Sequence, residues 1–309
     1  MYDIIGDIHG HADELIELLE RMGYDRRRGY YSHPTRTAVF VGDFIDRGPQ
    51  IAEVLRIVRP MIDAGRAHAV MGNHEFNAIG YHTRDPGDGD NFFRRHDEKN
   101  VRQHIATIRQ LTADELHETI EWFRQLPLWK DLDGIRVVHA CWDRDAIGVI
   151  EKAIVEHGRL TTRFMQLASQ HQSTLYTAVD NTLKGKEISL PVGISFKDKD
   201  GQSRTKTRVK WFANPMGMTF REYSLPPRRI IPDNCVPEGL AATPYSSTEP
   251  PVFFGHYWLN SIRPTALGPN VACVDYSVAR GGDLCAYRWS GERILSDEHF
   301  VWIAARKRR

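Results

Sequence analysis

Long apolar runs are missing from this sequence. No uninterrupted stretch approaches the ~20 residues that carry a helix across a bilayer, which argues against a helical membrane protein. Cysteine is scarce: Cys141, Cys235, Cys273 and Cys285 form no CxxC pair, so a thiolate zinc site is excluded and free thiols in a cytoplasmic setting are expected. An excess of one charge is missing too. Lys and Arg (41) nearly cancel Asp and Glu (40), so no global field draws the chain to nucleic acid or to an acidic membrane, and partners have to be argued from local features. The first strand candidate, residues 2–5, follows Met1 directly, and a secretion signal is therefore not expected.

What the chain has is alternation. Up to about residue 145, short apolar runs alternate with helical patterns, the signature of strands joined by crossover helices. Leu15, Leu18, Leu19 and Met22 recur at helical spacing with Gly23 as a C-cap, and a second helix is predicted over 51–64. Thr112 and Glu115 form a capping box opening a helix toward Phe123, and DPGDGDN (85–91) reads as an exposed loop. From about 144 the pattern changes: helices to about Thr182, a hairpin predicted around Asp200 and Gly201, then a connection rich in Pro, Gly and Ser over 226–251, read as a surface loop or lid. Strand patterns resume at 252–254, 271–275, 285–289 and 300–303. The expected organisation is one domain over 1–309 with a cap-like insertion at about 181–250.

Five strand candidates run straight into polar clusters: DII into GDIHG, AVFV into GDFIDRG, HAVM into GNHE, IRVV into HACWD and VFF into GHYW. Residues just beyond strand C-termini face the ligand crevice of an open α/β sheet, so Asp7, His9, Asp43, Asn73, His139 and His256 are expected to converge. Their oxygen and nitrogen donors suit Mn, Fe, Zn, Ni or Mg, and not Cu(I) or an iron–sulfur cluster. Six donors exceed one tetrahedral zinc. Two divalent cations sharing one carboxylate would use them all, polarise a phosphoryl group and activate a bridging water as hydroxide, the expected nucleophile. Taken singly, each cluster is ordinary turn chemistry; their conjunction in order carries the reading. His139 and His256 could instead be satisfied core histidines, and Asp46 with Arg47 a surface ion pair.

GDIHG (6–10), GDFIDRG (42–48), GNHE (72–75) and the two later histidines resemble the calcineurin-like metallophosphoesterases. The Asp-Arg-Gly ending is similar to the phosphoprotein phosphatase branch, which includes serine/threonine phosphatases and symmetrical diadenosine tetraphosphatases. VDYSVARGGDLCAYRW (274–289) is similar to the closing strand pair of bacterial bis(5′-nucleosyl)-tetraphosphatase-like members. The resemblance covers 1–145 and 251–290 well and the residues between poorly. It implies an α/β fold, a two-sheet β-sandwich flanked by helices, with an inserted helical and hairpin subdomain. It implies Asp7 and His9 on a first metal, Asp43 bridging, and Asn73, His139 and His256 on a second, with two divalent ions as cofactors and manganese the first choice. His74 is implied as general acid paired with Asp46, chemistry that a carboxylate partner suits. Arg47 is implied as a phosphate clamp, for which a planar fork of donors suits better than lysine.

Ala140 and Cys141, and Tyr257 and Trp258, stand where the family often has Gly and Thr-Pro. No ligand is lost, so these departures bear on the pocket wall and hence on the substrate. A second phosphate-binding arginine is not placed; Arg208 and Arg221 are the candidates. The expected reaction is hydrolysis of a phosphomonoester or phosphoanhydride, the substrate being a dinucleoside polyphosphate, a phosphoprotein or a small phosphate ester, with the closing strands tilting the choice to nucleotides. A non-catalytic metal-binding protein on the same fold is the rival class, and a nuclease or phosphodiesterase is disfavoured by the balanced charge. His82, His96, His104 and the other histidines read as structural or solvated, as do the basic 306–309 tail and the lysine-rich hairpin region. The oligomeric state stays open.

Overall fold

The computed structural model describes residues 1–89, 91–197, 201, 203–237, 243–260 and 263–306. The chain divides into two compact units, Met1–Leu183 with Pro250–Arg309, and Lys184–Glu249. The first unit opens with β1 (Tyr2–Ile5), α1 (Ala12–Arg21), β2 (Asp25–Arg27), β3 (Tyr30–Ser32), β4 (Thr37–Phe40), α2 (Ile51–Asp63) and β5 (Ala67–Ala69). It continues through α3 (Asn73–His82), α4 (Glu98–Gln110), α5 (Ala113–Phe123), β6 (Trp129–Leu132), β7 (Ile135–Val138), α6 (Arg144–His157), α7 (Thr162–Ser169) and α8 (Thr174–Lys184). The second unit carries β8 (Glu187–Ser189), β9 (Phe196–Lys197), β10 (Ser203–Arg204), β11 (Lys206–Arg208) and α9 (Phe220–Tyr223). The chain then returns to the first with β12 (Val252–Phe254), β13 (Val271–Cys273), β14 (Asp275–Tyr276), β15 (Asp283–Trp289) and β16 (Phe300–Ala304).

Two sheets organise the first unit. One runs β14-β15-β1-β4-β5 with β16 on β15; the other runs β13-β12-β7-β6. β1, β4 and β5 are parallel, and their apolar residues are continuous because helices cover what would otherwise be a wet face. Ile4, Ile5, Val39 and Phe40 are fully buried, each contributing about 1.5–3 kcal/mol of burial. The register Ile5↔Phe40 and Phe40↔Ala69 brings the residues after these three strands to one edge. In the second sheet, β12 is parallel to β7 with Phe253↔Val137, which brings Gly255 and His139 together, and Gly255 N–H donates to His139 O (2.8 Å). The sheets meet where the Phe253 ring lies 5.1 Å from that of Tyr287.

Three departures from the sequence reading have physical reasons. The strand predicted over 271–275 breaks after Cys273, because the chain changes sheets there: Val274 N–H donates to Phe254 O (2.8 Å) and β14 then joins β15. The connection over 226–251 is not merely a surface loop. Ile231 and Val236 are buried with Leu190, Val209, Phe220 and Tyr223 in a core belonging to the second unit, apolar anchors too sparse to show a period. In that unit β9 pairs with β10 and β8 with β11, both antiparallel, while Asp200 at the predicted hairpin turn lies outside the described residues. Helix α3 escaped the periodicity because its first buried residues, Asn73, His74 and Glu75, are polar. Among the described residues no helix is long and apolar enough to cross a membrane.

Candidate metal centre

The strand ends deliver their side chains on strained turns. His9 (φ 46°), Asp43 (φ 54°), Asp46 (φ 65°), Arg47 (φ 67°) and His256 (φ 72°) all occupy the left-handed region, at a cost on the order of 1–3 kcal/mol each. Such strain persists only where the surroundings enforce it, and Glu75 does so here. Its buried carboxylate accepts the N–H groups of Asp43 (2.7 Å), Gly72 (2.9 Å) and Phe44 (2.8 Å). Removing it would strand three buried donors at about 1–3 kcal/mol each, more than the strain of any single turn. Gly42 (φ 99°) crosses Gly72 at the same place; a Cβ on Gly42 would strike the Gly72 backbone and one on Gly72 would strike Asp43.

His9 and His139 are presented alike. His9 Nδ1 donates to Ile45 O (2.9 Å) and His139 Nδ1 to Val41 O (2.7 Å), so a backbone carbonyl orients each ring and leaves Nε2 as the inward donor atom. Asp43 lies between them. Its Oδ2 is 3.4 Å from His9 Nε2 and its Oδ1 is 3.5 Å from His139 Nε2, too long for good hydrogen bonds, and among the described residues His9 Nε2 is buried without a hydrogen-bond partner. Asn73 Oδ1 lies 3.1 Å from His139 Nε2 and accepts from His256 Nδ1 (2.7 Å). Donor atoms of His9, Asp43 and His74 fall within 4.8 Å of one another, as do those of Asp43, His139 and His256; Asp43 belongs to both groups. Asp7 belongs to neither. It is buried beside them, its two oxygens 3.2 and 3.1 Å from the His256 N–H.

The charges explain what the arrangement calls for. Burial, then Asp275, pushes the Asp7 carboxyl well above the usual carboxylate range. Burial would raise Asp43 as well, yet His139 and His74 hold it well below. Burial works against a charged His139, but Asp43 and Asp7 outweigh it and lift the imidazole to about 10. Burial holds His9 well below its ordinary value, and burial followed by Asp43 pushes Glu75 up to about 8. Several carboxyls crowd one buried pocket, and so Asp7 and Glu75 favour their protonated forms and His139 its charged one. The hard and borderline donors, with two histidine nitrogens aimed at the two oxygens of one carboxylate, fit a pair of divalent metal ions.

His74 sits in the first turn of α3, where its backbone N–H donates to Asp43 Oδ1 (3.0 Å). Its Nδ1 donates to Asp46 Oδ2 (2.5 Å), and its Nε2 lies 4.0 Å from Asp43 Oδ2 and 3.5 Å from Arg47 Nη2. The other oxygen of Asp46 accepts from His104 Nδ1 (2.8 Å) and Thr107 Oγ1 (2.6 Å). Burial would raise the Asp46 carboxyl, but bonds from His104 and His74 hold it far below its usual range. Asp46 is therefore the hub of a buried network rather than half of a surface ion pair with Arg47. Arg47 places its guanidinium carbon 4.8 Å from the Trp258 ring centroid, and that indole stacks on His9 at 5.5 Å.

Glu75, His104 and Thr107 are the contributors that sequence reasoning missed. Of the two readings open to His104, structural or solvated, burial supports the first: α4 turns His104 and Thr107 into the protein. Two buried residues at i, i+3 in a polar helix were the available signal, and without tertiary structure it is weak. Arg208 and Arg221 serve their own unit. Arg208 Nε donates to Lys184 O (2.5 Å), and Arg221 pairs with Asp233 and donates to Ile231 O (2.9 Å) and Arg229 O (3.0 Å).

Residues 2–216 match the calcineurin-like phosphoesterase family. A Halalkalibacterium halodurans protein named asymmetrical bis(5'-nucleosyl)-tetraphosphatase PrpE is 36% identical over 160 residues, which are 50% of this chain and 62% of that protein, so the match spans less than two thirds of the relative. The symmetrical bis(5'-nucleosyl)-tetraphosphatase of Vibrio cholerae serotype O1 is 26% identical over 307 residues, 95% of this chain and 96% of its own. Among solved structures, a protein serine/threonine phosphatase from Saccharomyces cerevisiae is 14% identical with a TM-score of 0.49, covering 100% of this chain and 80% of that one, a likeness on which no functional argument rests. The family match takes in the strand-end clusters from Asp7 to His139 and more than half of the chain. The chain belongs to the calcineurin-like phosphoesterase family.

Proposed function

We propose that this chain is a metal-dependent hydrolase of phosphate esters or anhydrides, acting on a phosphomonoester or phosphoanhydride with dinucleoside polyphosphate or phosphoprotein as candidate substrates. One observation carries the reading: the two oxygens of Asp43 face two histidine nitrogens at 3.4 and 3.5 Å, each ring locked from behind by a backbone carbonyl. Asp7, His9 and Asp43 would hold one divalent ion, and Asp43, Asn73, His139 and His256 the other, manganese being the first choice. Bound there, such ions would polarise the phosphoryl oxygens and lower the pKa of a water. The remaining work falls to the chain. Arg47 orients the phosphate through its fork of donors. His74 gives its Nε2 proton to the departing oxygen, held in place by Asp46, which His104 and Thr107 hold in turn. The thiols Cys141, Cys235, Cys273 and Cys285, none of them in a disulfide, are in keeping with a cytoplasmic location.

A metal-supplemented hydrolysis panel tests the reading. Hydrolysis of p-nitrophenyl phosphate together with either diadenosine tetraphosphate or a phosphopeptide, exceeding that of bis-p-nitrophenyl phosphate, supports it. Protein carrying two equivalents of metal that cleaves none of these is the rival, a binding protein on the same fold. Cleavage of the diester above all others would make it a phosphodiesterase.

Every residue with a role above lies in the first unit. The second we assign to substrate selection, the cap-like part that the insertion at about 181–250 was expected to play. Replacing 184–249 by a short Gly/Ser linker is expected to leave metal loading and slow p-nitrophenyl phosphate hydrolysis intact. It should lower kcat/KM for the best substrate of the panel by roughly tenfold or more, since what is lost is binding to remote parts of the substrate. Full efficiency on every substrate would remove the selecting role.

A further inference from the structure

We propose that Arg280 binds a second phosphate group beside the one that is hydrolysed, so that the site prefers phosphoanhydrides of two or more phosphates to phosphomonoesters. The inference rests on the hydrolase reading above. Its basis is a pair of guanidinium groups sharing one indole. The Arg280 guanidinium carbon lies 4.8 Å from the Trp258 ring centroid, the same distance as that of Arg47. Cation–π attraction to one ring holds both arginines in place despite their like charge.

Arg280 is exposed, but its backbone is fixed. It ends a 3-10 turn, Val278–Arg280, bracketed by Ser277 (φ 65°) and Gly281 (φ 78°) in the left-handed region and anchored by buried Val278. That turn and the loop bearing Trp258 are pinned by one carboxylate: Asp275 Oδ2 accepts the Trp258 N–H (2.7 Å) and its Oδ1 accepts the Ser277 N–H (3.0 Å). Ser277 Oγ donates to Leu259 O (3.1 Å), and Leu259 N–H donates to Asp275 O (3.1 Å). Trp258 is itself strained (φ 54°), a conformation that persists only because this network imposes it. The network places a guanidinium against the indole that stacks on His9, yet among the described residues no carboxylate pairs with Arg280.

A fork of donors built into place without an anion is suited to one brought by the ligand. A monoester has a single phosphate, which Arg47 serves next to His74. Both guanidinium carbons lie 4.8 Å from one ring centroid and hence no more than twice that distance apart, a span that a phosphoanhydride chain seated on Arg47 can bridge. The Arg280 fork would supply a phosphate contact in addition to that of Arg47.

Steady-state kinetics of wild type and Arg280→Gln on p-nitrophenyl phosphate, inorganic pyrophosphate and diadenosine tetraphosphate, with metal content measured for both, decide the matter. The expected result is a loss in kcat/KM on pyrophosphate and diadenosine tetraphosphate at least roughly tenfold greater than on p-nitrophenyl phosphate, carried mainly by KM, as for a lost charge-assisted bond. Arg280→Lys should recover part of it, retaining charge but not the fork. Equal effects on all three substrates, or none, overturn the proposal, as does a fall in metal content that accounts for the loss. Should wild type cleave p-nitrophenyl phosphate but no phosphoanhydride, the second-phosphate site falls and the hydrolase reading stands. Should metal-loaded wild type cleave neither, both fall.

Discussion

Asp43→Asn is expected to abolish turnover and to lower metal content at both positions together. Asp43 is the one residue shared by the two donor groups, and its oxygens face His9 Nε2 on one side and His139 Nε2 on the other. An amide removes the negative charge that attracts both cations, and it offers one side an N–H where an oxygen is needed. The loop should survive, because it is the Asp43 backbone N–H, not its side chain, that Glu75 holds. Metal analysis alongside circular dichroism separates the outcomes. A folded variant that retains close to two equivalents of metal and measurable activity on p-nitrophenyl phosphate would show that Asp43 does not bridge.

His74→Asn is expected to divide the two properties that Asp43→Asn loses together. Metal content stays near that of wild type, while kcat falls by about 10² to 10⁴, the usual contribution of a general acid, or roughly 3–5 kcal/mol of barrier. His74 also has a donor atom near Asp43, so the competing role is that of a ligand. Geometry favours the acid: Nδ1 is committed to Asp46 at 2.5 Å, and Nε2 stands beside Arg47, the residue proposed to orient the phosphate. The loss should shrink for substrates whose leaving group needs no proton, such as p-nitrophenolate, and be largest for an alkyl phosphate. A variant equally impaired on both would take His74 out of the acid role, and one that loses an equivalent of metal would make it a ligand.

Much of the site is legible in the order of residues alone. Asp7, His9, Asp43, Asn73, His139 and His256 each follow an apolar run, and parallel strands in register bring their C-terminal ends to one edge however far apart they lie in sequence. The glycines are legible for the same reason: Gly42 and Gly72 stand where backbones cross without room for a side chain. Glu75 is visible as a letter of GNHE, yet its task of holding three N–H groups from two loops is a long-range fact. So is the sheet change at Val274, since a strand of five apolar and polar residues reads the same whether it stays in one sheet or crosses to another.

The local pattern of residues determined which polar groups would stand just beyond strand ends and that they would meet, because strand periodicity and glycine-framed turns are short-range properties written every few residues. Tertiary structure alone decided which groups support them. Asp46 meets His104 and Thr107 across about sixty positions of chain, and Trp258 meets Arg280 across the turn pinned by Asp275. Neither contact has a spacing rule behind it: each depends on the angle at which one packed element crosses another, which the burial of the whole core sets and no local run of residues encodes.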